Sequence, residues 1–314
     1  AVMTPKALGA ATLAVTRAGA RLVAVGERGV VLLSDDNGAS WRQARVPVQT
    51  SLTTVRFVDA RLGWAAGHLG VILRTEDGGE SWTVQMDGVR AAALQADALA
   101  AGDERAREAA GRWIQEGPDK PFFDIEFLDA RHGFAVGAFN LALATIDGGK
   151  TWMSVSARLP NAKAAHLYGI RRHGSSLYVV GEQGLVLTSS DSGSTFQQLP
   201  SPYKGSFFGL LLSRTGTLVV YGLRGTAFRS TDHGASWQKV DTGISVAISA
   251  GTELDDGRLV LLTQEGDKLL SSDDGAAFKR IQAAAAVPAA GMAATTDGAL
   301  VVASLRGMRR QPAP

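Results

Sequence analysis

Six copies of one eight-residue pattern place an aspartate between two hydroxyl positions: Ser/Thr, any, Asp, any, Gly, any, Ser/Thr, aromatic. They are Ser34–Trp41, Thr75–Trp82, Thr145–Trp152, Ser189–Phe196, Ser230–Trp237 and Ser271–Phe278, the last with Ala277 where a hydroxyl belongs. Their carboxylates, Asp36, Asp77, Asp147, Asp191, Asp232 and Asp273, have the donors for acid–base work or calcium binding. The same groups also suit a tight turn, where an aspartate accepts backbone N–H groups and glycine takes positive φ. An active site is seldom copied into every repeat, so the six are read as structural staples. Their aromatics, including Trp41, Trp82, Trp152 and Trp237, are read as packing between neighbouring sheets.

Other chemistry has few carriers. Glycoside cleavage needs two facing carboxylates, or a tyrosine nucleophile with a glutamate partner and arginines. Asp124, Glu126 and Tyr168 are the candidates, but the two acids are near neighbours on one strand and alternation aims them to the same side. The histidines (His68, His132, His166, His173, His233) lack metal-ligand spacing. There is no nucleophile elbow, phosphate loop or dinucleotide-binding glycine pattern. No catalytic residue, metal or cofactor is therefore assigned.

The elements that carry these residues follow from the spacing. Successive aspartates lie 41, 70, 44, 41 and 41 residues apart, and a period of about 40 is one four-stranded propeller blade. Between boxes run short β-branched and aromatic segments punctuated by glycine, such as Gly63–Gly67 and Gly70–Thr75. The reading is all-β: a single seven-bladed β-propeller over 1–314, each box turning from the third strand of a blade (c) to the fourth (d). A seventh unit, 289–309, has three strands and no box. Residues 1–10 are expected to supply its outer strand and close the ring.

The 70-residue step holds 29 residues beyond the commonest one, and 89–120 reads as a helical insertion between blades 2 and 3. Ala91–Ala101 is rich in helix formers, Gly102 is a stop and Asp103 an N-cap. Ala106, Ala110, Trp113 and Ile114 share one face of the second helix. Two uses stand open: a docking surface, or a decoration packed through Trp113.

Composition sets bounds. Of 314 residues 45% are hydrophobic and 20% charged, with net charge +2 and no cysteine. Charge is spread, so nucleic acid is not expected as a partner, and no apolar run is long enough to insert in a membrane. The chain begins at Ala1 rather than methionine, which a removed leader and a trimmed chain explain equally well; with a leader presumed removed, a periplasmic, lumenal or secreted location is the expectation.

The turns between second and third strands (b to c) lie on the face opposite the boxes. They carry Arg28, His68, Asn140, Arg224 and Arg306, which with Trp113 form the candidate binding face. Three arginines and a histidine converging near a channel mouth would hold an anionic group. Ordinary solvated turn residues are the alternative.

The longer unit in Thr54–Trp82 and Asp124–Trp152, with V/I-x-F-x-D, G-W/F-A-x-G and T-x-D-G-G-x-S/T-W, resembles the photosystem II stability and assembly factor family and its relatives in non-photosynthetic bacteria. The resemblance implies a BNR-repeat propeller on the lumenal or periplasmic side, a non-enzymatic scaffold binding a membrane-protein subunit. For the bacterial relatives it implies an exporter's periplasmic domain as partner. A monomer is expected. The alternative is a glycan-binding or sialidase-like propeller, although no Arg-Ile-Pro motif precedes the first box.

Overall fold

The computed structural model describes residues 1–314. Seven antiparallel sheets follow one another around a ring, six of four strands and the last of three. Their inner strands are Thr12–Ala18, Leu52–Phe57, Phe122–Phe127, Leu167–His173, Phe207–Leu212, Ile248–Glu253 and Ala289–Ala294. Second strands are nearly uniformly buried, as follows when a sheet is covered on both faces. The core is therefore a series of wedges between adjacent blades. In the wedge between blades 2 and 3, Trp64 stacks on Phe127 with centroids 3.4 Å apart and donates its indole N–H to Gly148 O at 3.2 Å.

Each box is a closed hydrogen-bond cycle. The first hydroxyl donates to the aspartate at 2.7–2.9 Å and accepts the glycine N–H at 2.8–3.0 Å. The seventh residue's N–H donates to the same carboxylate at 2.9–3.0 Å. In five boxes its hydroxyl adds a bond of 2.5–2.7 Å. These donors, led by the Ser40 hydroxyl at Asp36, hold Asp36 at about 2; Asp147, Asp191 and Asp232 are held there likewise. Glycine is required twice over at Gly193: its φ is +83°, and a Cβ would lie 2.1 Å from the Phe134 ring of the preceding blade. The sixth box lacks the hydroxyl bond because of Ala277. Ala277→Ser should restore it and stabilise the protein by about 0.5–1 kcal/mol, read as a higher denaturation midpoint with unchanged slope.

Ring closure corrects one expectation. Residues 1–10 do not form an outer strand of blade 7, whose sheet stops at Gly307–Gln311. Pro5–Gly9 is instead a short 3-10 turn with Thr4 as its N-cap. Thr4-Pro5 is a helical-turn opening and the segment has no strand alternation. Closure comes from side chains: Thr12 Oγ1 donates to Ser304 O at 3.1 Å and accepts Ser304 N–H at 3.0 Å. Asn37 of the first box accepts from Thr296 and, through its carbonyl, from Arg310.

Two helices occupy the insertion, α1 (Gly88–Ala100) and α2 (Glu104–Glu116), capped by Asp87 and Asp103. Ala91, Ala92, Ala96, Ala110 and Trp113 are five of the sixteen buried residues in the blade 2–3 wedge. Trp113 is thus corrected as a binding-face residue: it is 7% exposed and belongs to the core. Ile114, one position on, faces solvent.

Candidate functional site

All seven inner strands share a register slip at the same place. The pairing jumps between Thr12 and Ala14, Leu52 and Thr54, Phe122 and Asp124, Leu167 and Gly169, Phe207 and Gly209, Ile248 and Ala250, and Ala289 and Gly291. A bulge frees one residue from the ladder and re-aims its side chain. The freed residues, Leu13, Thr53, Phe123, Tyr168, Phe208, Ser249 and Ala290, all line one cavity of about 140 Å³ on the ring axis.

The ring of freed residues is lopsided. Phe123, Tyr168 and Phe208 come from consecutive blades and touch in series, centroids 5.2 and 5.5 Å apart. Opposite them stand Thr53, Leu13, Ala290 and Ser249. The aromatic arc continues outward through His166 to Phe139, whose ring meets the imidazole edge-on at 4.5 Å and whose N–H donates to His166 Nδ1. Burial and neighbouring Glu182 push the Tyr168 phenol up to about 12.

Deeper toward the box face the channel turns ionic. Asp124 accepts from Thr54 Oγ1 at 2.9 Å, Ile125 N at 3.0 Å, Ile170 N at 3.1 Å and the Arg171 guanidinium, with Arg56 at 3.7 Å. Burial pushes its carboxyl upward and Arg56 and these donors oppose it. Glu126, two residues on, has only Arg172 at 3.9 Å. Burial lifts it to about 7, with Asp124's charge adding to the rise and Arg56 and Arg172 resisting it. A second cavity of about 230 Å³ is lined by Arg17, Arg56, Arg171 and Glu253, and Arg56 keeps a buried Nε without a partner.

The sequence-based site is only partly assembled. Arg28, His68, Arg224 and Arg306 are exposed in the expected turns, but none lines the axial cavities, where the arginines come from inner strands instead. Asn140 is tied into structure, donating to Ser156 O and accepting from Asn161. Five of the seven b-to-c turns are strained, and several are apolar. Arg28, Leu69, Phe139, Gln183 and Arg224 sit at φ 53–57°, costing roughly 1–2 kcal/mol each. Large apolar side chains stand exposed in three of these turns, Leu69 (52%), Phe139 (49%) and Leu223 (38%), and in the unstrained turn of blade 7 at Leu305 (54%).

Known proteins share this architecture. The solved structure of YCF48 bound to D1 peptide aligns with TM-score 0.70 and 16% identity over 100% of this chain and 96% of that one. A GH74 xyloglucanase from Xanthomonas campestris aligns with TM-score 0.69 and 12% identity over 96% of this chain and 52% of its own; at such identities the likeness is one of fold. The photosystem II assembly lipoprotein Ycf48 of Synechococcus sp. (strain CC9902) is 34% identical over 76 residues, 24% of this chain and 23% of that protein. The family model for the photosynthesis system II assembly factor YCF48 matches residues 104–307, and the chain belongs to that family.

Proposed function

We propose that this protein is a non-enzymatic assembly factor that holds a segment of a membrane-protein subunit, of the D1 kind, against the propeller face opposite the Asp boxes. The apolar b-to-c turns on that face, continuous through Phe139 and His166 with the aromatic arc at the channel mouth, are the observation that carries this reading. Exposed Leu and Phe side chains held on strained turns are costly unless something covers them. An apolar, membrane-derived segment fits them better than a soluble polar ligand. A lumenal or periplasmic site of action accords with the lipoprotein relative.

Glycoside chemistry is the poorer reading. Asp124 and Glu253, the acids lining the axial cavities, are both engaged by arginines. Glu126 has a general acid's pKa but does not line them. Tyr168 is shifted away from nucleophilic use.

A synthetic D1 peptide, titrated by calorimetry, tests the face. Leu69→Ser/Phe139→Ser/Leu223→Ser should weaken binding about tenfold or more. Ile146→Ser/Met153→Ser, exposed apolar residues of the box turn and outer strand of blade 3, should leave it unchanged. Equal loss in both variants, or loss in neither, would overturn the proposal.

A further inference from the structure

Arg56 projects a guanidinium into the channel, and none of its N–H donors makes a hydrogen bond within the chain. Its Nε is buried without a partner, and the carboxylate nearest to it, Asp124, stands at 3.7 Å, beyond hydrogen-bonding reach. The side chain is about three-quarters buried. A cation held largely out of bulk water is costly unless something supplies acceptors. Arg171, across Asp124 from it, is half engaged: Nη1 serves Asp124 and Ile170 O, while Nε and Nη2 are free.

The two axial cavities meet at these arginines: Val15, Arg56, Arg171, Gly251 and Met292 line both. The inner strands bring backbone donors to the same level. Asp124 accepts the N–H groups of Ile125 and Ile170, each two residues past the freed residue of its bulge and opposite Ala135 or Val179. Val15 and Met292 hold the same register position in blades 1 and 7, opposite Ala24 and Val302. Their N–H groups therefore also face the axis rather than the second strand. Thr16 and Thr252 add hydroxyls in the second cavity. The one carboxylate there, Glu253, is already engaged by Arg214.

We infer that the waist of the channel, where the two cavities meet, binds a small tetrahedral oxyanion of the phosphate or sulfate kind between Arg56 and the inner strands of blades 7 and 1. Guanidinium N–H pairs match oxyanion geometry, which a halide cannot use in the same way. The donors converge from opposite sides of the axis and from below, an arrangement that suits four oxygens better than the two of a planar carboxylate. Cavities of about 140 and 230 Å³ admit such an ion with a few waters. The ion ties blade 2 to blades 7 and 1, as Asp124 ties blade 2 to blades 3 and 4. This site lies below the aromatic arc and does not rest on the function proposed above.

The probe is inorganic phosphate, replacing chloride at constant ionic strength so that screening is held fixed. Calorimetry on the full chain should show saturable binding of one phosphate, sulfate should compete with it, and the melting temperature should rise to a plateau. Arg56→Gln, which removes no hydrogen bond of the fold, should weaken binding about tenfold or more, and Arg17→Gln in the second cavity severalfold. Arg306→Gln, an exposed turn residue outside both cavities, should leave it unchanged. If Arg56→Gln does not fold, Arg17→Gln decides. Acetate should bind more weakly than phosphate. No saturable binding at tens of millimolar phosphate would overturn the inference, as would binding that both channel variants leave intact, a loss equal to theirs in Arg306→Gln, or acetate binding the tighter of the two.

Discussion

Asp124→Ala should destabilise the protein by about 3 kcal/mol, toward the lower end of the range for breaking a buried ion pair. The carboxylate joins three blades: it sits on the inner strand of blade 3, accepts Thr54 and faces Arg56 from blade 2, and accepts Ile170 N–H and Arg171 from blade 4. Its removal strands two guanidiniums and orphans two backbone donors. Arg56 and Arg171 are each about a quarter exposed to the channel, so water can recover part of the loss, which keeps the figure from the top of the range. Asp124→Asn keeps acceptor oxygen for Thr54 and Ile125 but removes the charge, so it should fall between wild type and alanine. Urea denaturation with an unchanged slope is the measurement. A loss under about 1 kcal/mol for alanine would mean that the three blades are held by their wedges alone.

That residue also shows where sequence reading stopped. The boxes were legible because their chemistry repeats in residue type: hydroxyl, carboxylate, glycine and ring recur at fixed spacing. The insertion was legible from length and alanine content. The channel was not, because what repeats there is a backbone event with no shared residue; Leu13, Thr53, Phe123, Tyr168, Phe208, Ser249 and Ala290 have nothing in common. A trace does exist. The hydrophobic residues that pack into the wedges from the inner strands fall at intervals of three and then two, as in Leu52, Val55, Phe57 and Phe122, Ile125, Phe127, where an unbroken strand would give two and two. That extra residue is the bulge. The acids were placed correctly on one strand face, but the partners that saturate Asp124 lie 70 and 47 residues away. No local pattern announces them. The expected outer strand of blade 7 fails for a different reason: residues 1–10 are spare by length, but Thr4-Pro5 favours a turn over a strand.

Glu126→Gln should stabilise the protein at pH 8 and do nothing at pH 4. The folded carboxyl titrates at about 7, well above its ordinary 4.5, because it is buried beside Asp124 with only a distant arginine. Above pH 7 it is ionised in both folded and unfolded chains, and the folded state bears the full desolvation cost. Between 7 and 4.5 the folded state takes up the proton first, so stability rises as pH falls; below 4.5 both states are protonated and the group contributes nothing. Glutamine abolishes the cost, a gain on the order of 1–3 kcal/mol at pH 8 that fades through this window. The box aspartates act oppositely: held at about 2, they support the fold above their unfolded value and lose that support as pH drops from about 4 to 2. Wild type should therefore be most stable between about 4 and 5, while Glu126→Gln should extend that plateau to neutral pH. Denaturant midpoints across pH 3–8 distinguish the two curves. Destabilisation by glutamine at pH 8 would show that pairing with Arg172 outweighs burial. Because Glu126 lies on the strand that carries Phe123, facing the strand of Tyr168, its proton sets the stability of the seam on which the aromatic arc is mounted.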